Sequence, residues 1–475
     1  MTESFGCQEQ ERRHIKDYLR VTIRKQLALT LQKLNHVRTG DELRYRALRA
    51  SAWTVGGNLT SVAIRLGSNL ILTRLLFPEA FGIMAIVQAV MVGIALLTDV
   101  GIEPAIIQNK RGHEPVFLNT AWTMQAMQGV LIWLMVCGLA PFVANLYDQP
   151  ILTGLLPVAA LGAVLGGLSS TKLVAASRVL NIKKRVLIEV SSYSLGILLT
   201  ILLAWVYKSI WSLVCGGLIG ALVKTLASHF LHDGAKNRFA WEWASVKALF
   251  GFGQWVIISS ALTFLAGEGS KLLLGAFLGV KLLALFTLAS TMSLVFWQIA
   301  QQLNSRVFFP AYSEVARERP ERLRVIAARS RLFLIVPGWL VALFFVFWGD
   351  DFMSLLYDSR YTESGPILQV LAMGMLAGVV GGSYNGLLWA KGMVRASTIL
   401  LVLQVFVQVV GMVIGNYFFG DKGVILSAAL AAWLLYPVQA YIHARIDLWY
   451  PRLDVPILLV SMIVVILNFS VVLNV

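Results

Sequence analysis

Residues 397–442 read STILLVLQVFVQVVGMVIGNY, then FFGDKG, then VILSAALAAWLLYPVQAYI. The flanking runs, 397–417 and 424–442, carry no charged residue, whereas the break between them holds Asp421, Lys422 and two glycines. About 20 apolar residues suffice for a helix to cross the hydrocarbon of a bilayer. Each run is therefore a membrane span, and the break near 419–424 is a short connection at one membrane face. The same unit recurs along the chain. Spans are expected near 50–73, 83–107, 117–143, 151–171, 187–206 and 210–230, then near 249–267, 283–304, 333–348, 365–387, 397–417 and 424–442. A last apolar run covers 455–473.

Composition agrees. The 475 residues are 57% apolar and 14% charged, with mean hydropathy +0.73. Soluble domains average roughly 25% charged residues, so this chain cannot cover a water-facing surface. That excludes a soluble enzyme, a nucleic-acid-binding domain and a secreted disulfide scaffold. The expected class is all-α and polytopic. The polar stretch His232–Lys247 separates six spans from six, which gives a tail over 1–49, bundles over 50–231 and 248–445 joined by 232–247, and an additional helix over 446–475.

The net charge of +15 carries topology. Segments alternating on one side (1–49, 108–116, 172–186, 229–248, 304–332, 390–396 and 443–453) hold 32 of the 40 Lys and Arg, and the opposite connections hold 6. Basic loops stay cytoplasmic, so the N-terminus is expected in the cytoplasm of a cell with the protein in its inner membrane. The remaining excess attracts anionic lipid. No apolar signal segment opens the sequence. In the tail, Leu19, Ile23, Leu27, Leu31 and Leu34 step by four and three, which predicts a basic amphipathic helix over Asp17–His36.

Catalytic chemistry finds no foothold. The chain has no G-x-x-x-x-G-K-[ST] loop for ATP, and Cys7, Cys137 and Cys215 have no metal-ligand spacing. All six histidines fall in or beside the cytoplasmic segments. No paired carboxylates stand on the outer side, where a glycan polymerase or ligase would need acid and base groups. Neither a cofactor, a metal nor a catalytic residue is expected. Transport is left.

The first span carries the candidate site. Thr54, Asn58, Ser61, Arg65 and Ser68 are spaced 4, 3, 4 and 3 and so share one helix face. A cation at mid-bilayer costs several kcal/mol, about 2.5–3.5 on insertion scales, unless it faces water or a partner. The polar stripe favours a hydrated cavity, and an arginine fork suits a phosphate or carboxylate. The other reading of Arg65 is a buried ion pair with an acid on a neighbouring helix. In the second span, Asp99 and Glu103 near the cytoplasmic end are either groups at a cavity mouth or partners of Lys110 and Arg111. Glu268 and Lys271, at i and i+3, form either a gating or coupling-ion site or a plain local ion pair.

Several stretches together resemble the polysaccharide transporter family, which contains oligosaccharide-lipid flippases and lies within the multidrug/oligosaccharidyl-lipid/polysaccharide exporter superfamily. They are Ile71–Gly82 (ILTRLLFPEAFG), Thr98–Arg111 (TDVGIEPAIIQNKR), Ala140–Pro150 (APFVANLYDQP), Ala176–Val190 (ASRVLNIKKRVLIEV), Lys271–Gly279 (KLLLGAFLG) and Arg306–Glu314 (RVFFPAYSE). The resemblance runs from about residue 50 to 445. It departs at Ser270, where many relatives have an acid; Glu268 lies half a turn away. The resemblance implies two six-helix bundles around a central cavity that opens alternately to each side. It implies as substrate an undecaprenyl-diphosphate-linked oligosaccharide repeat unit of exopolysaccharide, capsule or O-antigen synthesis. It implies membrane lipids as surroundings and leaves room for a polysaccharide polymerase as partner, with no nucleic acid. The alternative is a cation-coupled exporter of small amphipathic molecules, which would favour an acid-lined cavity over an arginine stripe.

Overall fold

The computed structural model describes residues 42–109, 111–178, 183–230, 237–249, 264, 268–304 and 308–468. The amphipathic helix expected over Asp17–His36 and most of the span expected over 249–267 lie outside these residues. Among the described residues all regular structure is helical. The longer helices of the first half are α1 Glu42–Leu75, α2 Pro78–Leu97, α3 Pro115–Leu146, α4 Leu152–Gly167, α5 Lys183–Tyr207 and α6 Trp211–Phe230. Those of the second half are α7 Glu268–Leu303, α8 Pro320–Leu356, α9 Ser364–Gly382, α10 Val394–Ala444 and α11 Pro451–Leu467. Eight of these are long and apolar enough to cross a membrane by length and composition.

Two of them are folded hairpins. The 51 residues of α10 would reach roughly 75 Å at about 1.5 Å per residue, more than twice the hydrocarbon thickness. Gly420, at φ 58° and ψ −141°, breaks the helix in the left-handed region that glycine enters without strain. The arms then fold back so closely that a Cβ on Gly415 would stand 2.3 Å from the Gly423 carbonyl oxygen. The short connection expected near 419–424 is thus a turn made at Gly420. Helix α7 turns in the same way at Gly279, at φ 70° and ψ 170°.

That second hairpin changes one expectation. Residues 268–282 were expected as an outer connection because they carry Glu268, Lys271 and Lys281. The chain is instead helical from Glu268, and the turn shrinks to Gly279. Charge alone failed as a loop signal here because Glu268 and Lys271 neutralise each other on adjacent turns. The span expected over 83–107 is likewise divided. Helix α2 stops at Leu97, and Asp99 accepts a hydrogen bond from the Gly101 N–H at 2.8 Å in a turn that opens a short helix, Ile102–Gln108.

One apolar core runs through both halves. Ile83, Ile86 and Val90 of α2 and Leu155 of α4 share it with Leu283 and Leu285 of α7, Met353 of α8 and Leu368 of α9. Residues 237–249, which include the described part of the joint over 232–247, pack on the first half. The Phe239 ring lies 4.8 Å from Trp122, the Ala240 N–H donates to Thr123 Oγ1 at 3.1 Å, and Val246 and Leu249 are buried against Ile102, Ile106 and Phe117. Arg111 clasps Glu242 of the joint at 2.9 Å and Glu114 at 2.7 Å. The Ser245 hydroxyl, with Arg111 behind it, holds the Glu242 carboxyl below the usual carboxylate range.

Candidate functional site

The polar face of α1 forms because its residues recur at helical spacing, but its members do different things. The Ser61 hydroxyl donates back to the Gly57 carbonyl at 2.9 Å, so its hydrogen-bonding capacity is partly spent on its own helix. The Ser68 hydroxyl is buried and donates to the Arg65 carbonyl at 2.9 Å. Asn58 is exposed, and Thr54 is partly buried. Arg65 reaches across the molecule. Its Nη2 donates to Gln298 Oε1 of α7 at 2.9 Å, bridging first half to second. Its buried Nε has no acceptor, and no carboxylate among the described residues pairs with it. Among the described residues, therefore, no acid compensates the guanidinium and part of its planar fork is unused.

At the far end of α1 from its basic tail, the halves clasp one another. Arg360, between α8 and α9, donates to the Thr73 and Arg74 carbonyls at 3.2 and 3.1 Å. These are free carbonyls at the C-terminus of α1, where a cation is favoured by the helix dipole. Arg360 also lies 5.2 Å from the Phe77 ring, and its side chain is oriented by Asp358 at 3.3 Å. Tyr361 donates to the Leu76 carbonyl at 3.0 Å, and Tyr147, just past the end of α3, donates to the Leu272 carbonyl of α7 at 2.8 Å. Lys271 and Glu268 pair at 2.8 Å on that same arm of α7, while the second carboxylate oxygen of Glu268 is buried without a partner.

A family model described as "Polysaccharide biosynthesis protein" matches residues 71–366. The chain belongs to this family. The lipopolysaccharide biosynthesis protein WzxC of Escherichia coli (strain K12) is 24% identical over 432 residues, 88% of this chain and 87% of that protein. The succinoglycan biosynthesis transport protein ExoT of Rhizobium meliloti (strain 1021) is 23% identical over 332 residues, 68% of this chain and 65% of the relative. Among solved structures, an inward-facing multidrug resistance MATE family transporter of the MOP superfamily aligns with TM-score 0.65 at 14% identity, covering 82% of this chain and 94% of its own. The lipid II flippase MurJ, in an inward closed conformation, aligns with TM-score 0.64 at 12% identity, covering 89% and 97%. The protein is thus a helical membrane transporter of the polysaccharide transporter family, not an enzyme.

Two expectations for this family member are revised by its geometry. Glu103 pairs with Arg185 of α5 at 2.6 Å rather than with its sequence neighbour Arg111, which is taken by Glu114 and Glu242; Lys110 lies outside the described residues. Arg331, expected in a cytoplasmic connection over 304–332, is inside α8 and has no exposed surface. It pairs with the equally buried Asp454 of α11 at 2.8 Å and donates to Ser383 Oγ at 2.9 Å. Tyr384 and Tyr436 donate to the other oxygen of Asp454 at 2.6 and 2.8 Å. The guanidinium also stacks 3.5 Å over the Tyr384 ring. Sequence reading missed this network, since its charges lie 123 positions apart. The one available signal was Asp454 standing directly before the last apolar run.

Proposed function

We propose that the chain is a flippase that moves an undecaprenyl-diphosphate-linked oligosaccharide repeat unit across a bacterial inner membrane by alternating access. The observation that carries this reading is Arg65, a cation held at the seam between the halves by a neutral glutamine instead of an acid. Such a cation is available to a diphosphate, whose charge cannot cross hydrocarbon unaided, while the prenyl tail stays in lipid. Residues 50–231 and 248–445 are the two six-helix bundles, 446–475 an added helix, and the N-terminus faces the cytoplasm. Asn58, Ser61, Thr54 and Ser68 line the path with Arg65. Asp99, Glu268 and Lys271 act in gating or coupling, and the Arg360 clasp closes the outer side while the cytoplasmic side is open. WzxC and ExoT carry names from the same kind of pathway, which supports the reading.

The test is a deletion in the host. Loss of the gene should block the surface polysaccharide and leave its lipid-linked repeat unit on the cytoplasmic leaflet, inaccessible to externally added glycan-modifying enzymes. A deletion strain whose repeat units remain fully accessible outside would refute the proposal.

A further inference from the structure

The second half contains a cavity that the stripe on α1 does not explain. It encloses about 320 Å³ between α7, α9 and the two arms of α10, at the lower end of the size range of small-ligand pockets. Trp297 forms one wall, and Ser293, Asn385, Gln404, Gln408 and Gln439 supply the polar atoms. The remaining described lining residues are apolar or glycine, and none is charged. Gly381 and Gly382 of α9 make the room. A Cβ at Gly382 would collide with the Trp297 ring, and one at Gly381 with the Gln439 carboxamide.

The chemistry of this lining is selective. Each carboxamide offers two N–H donors and an acceptor oxygen. Among the described residues, the side-chain amides of Asn385, Gln404, Gln408 and Gln439 make no hydrogen bond to the protein. Gln408 and Gln439 are partly buried and Asn385 and Gln404 exposed, so their donors and acceptors are open to whatever fills the cavity. A prenyl chain would leave them unsatisfied. An amphipathic cation would call for a carboxylate, and a phosphate or uronic acid would call for a cation. A ring that is uncharged, dense in hydroxyls and apolar on its C–H faces satisfies both the amides and the tryptophan.

We infer that this cavity is a subsite for an uncharged sugar ring of the transported glycolipid, stacked on Trp297 with its hydroxyls bonded by Gln404, Gln408, Gln439 and Asn385. The inference rests on the flippase reading above and extends it, since the second half then reads the sugar while Arg65 reads the diphosphate. The two sites are adjacent along one helix, because Gln298, which holds Arg65, follows Trp297 directly. The cavity takes a single ring, not a whole repeat unit.

Equilibrium binding to the full chain in lipid nanodiscs tests this with two probes: undecaprenyl diphosphate, and the same lipid bearing the neutral repeat unit extracted from the host. Wild type should bind the glycosylated lipid about tenfold more tightly, a difference of about 1.4 kcal/mol. Gln408→Ala and Trp297→Leu should remove most of that preference and leave binding of the bare lipid within about twofold. Trp297→Phe, which keeps an aromatic face and the packing, should retain the preference and controls for folding. Equal affinity of wild type for the two probes, or an undiminished preference in Gln408→Ala, overturns the sugar subsite and leaves the flippase reading standing. Failure of wild type to bind either probe overturns both.

Discussion

Two arginines lie inside the helical body of this protein, and they are treated in opposite ways. Arg331 has no exposed surface, and its charge is cancelled by Asp454, two tyrosine hydroxyls supporting the acid. Arg65 is half-buried and leans on a glutamine, with its Nε unsatisfied. A buried ion pair between helices fixes them in place, and although Arg331 Nη1 is also left without an acceptor, its charge is already cancelled by the acid beside it. A cation held by a neutral amide is costly to fold around, and that cost is tolerable only where water or an anion completes it. Finding both in one chain separates the arginine that holds the structure from the arginine that is free to act on something else.

The contrast can be broken most forcefully at the ion pair. Asp454→Ala or Arg331→Ala strands a buried charge, which costs about 3–5 kcal/mol, so membrane abundance and thermal stability should collapse. Replacing both by Met and Leu should restore much of the abundance, because no charge is then left unpaired. Equal abundance of the single and double variants would break the distinction. Arg65→Ala should do the reverse, leaving normal abundance but no glycan export, and Arg65→Lys should recover only part of it because an ammonium lacks the planar fork. Normal export by a well-expressed Arg65→Ala protein would put Arg65 in the same class as Arg331.

A milder change sharpens the same point. Gln298→Leu removes one hydrogen bond to a charged group, about 1.5–3 kcal/mol, and should weaken export severalfold with little loss of protein. The smallest effect concerns the Arg360 clasp. The Arg360 backbone N–H, and then its guanidinium, hold the Asp358 carboxyl below the usual carboxylate range. The contribution of this lowered acid is therefore present above the ordinary Asp value of about 3.9 and is lost only as pH falls through the lower folded value. Thiol labelling of a cysteine placed at Leu76, with rates corrected for the thiolate fraction, should be flat from pH 7 to about pH 5 and rise only in stronger acid, and Asp358→Asn should label faster over the flat range and converge with wild type in acid.

Much of the fold was legible because membrane spans announce themselves locally. FFGDKG between two uncharged runs predicts the hairpin that Gly420 makes, and the tail of basic residues before α1 precedes a helix whose polar spacing is visible at a glance. Arg65 stood out for the same reason, as a lone charge in an apolar run. What the sequence could not reveal was how charges were cancelled. Glu268 and Lys271 resembled a loop because their mutual neutralisation counts only once both are on a helix. Arg331 resembled part of a basic connection because its partner is more than a hundred residues away. The amides of the second cavity were silent too, since Gln404, Gln408 and Gln439 have neighbours of ordinary apolar character and converge only when the arms of α10 close on α9.

The fastening of α11 has a mechanical consequence. Asp454 ties its start to α8, and the Trp339 indole N–H donates to Ser461 Oγ at 2.8 Å one helical stretch further on. Two rivets on one helix leave it no independent swing, so any tilting of the second half carries α11 along. Its outward side, with Leu459, Met462, Ile463 and Ile466 bare to the surroundings, adds an apolar keel to this half. Among the described residues the first half carries no such added helix, so in a rocking molecule the two sides would not share the motion evenly, and the lighter one would turn against a steadier frame.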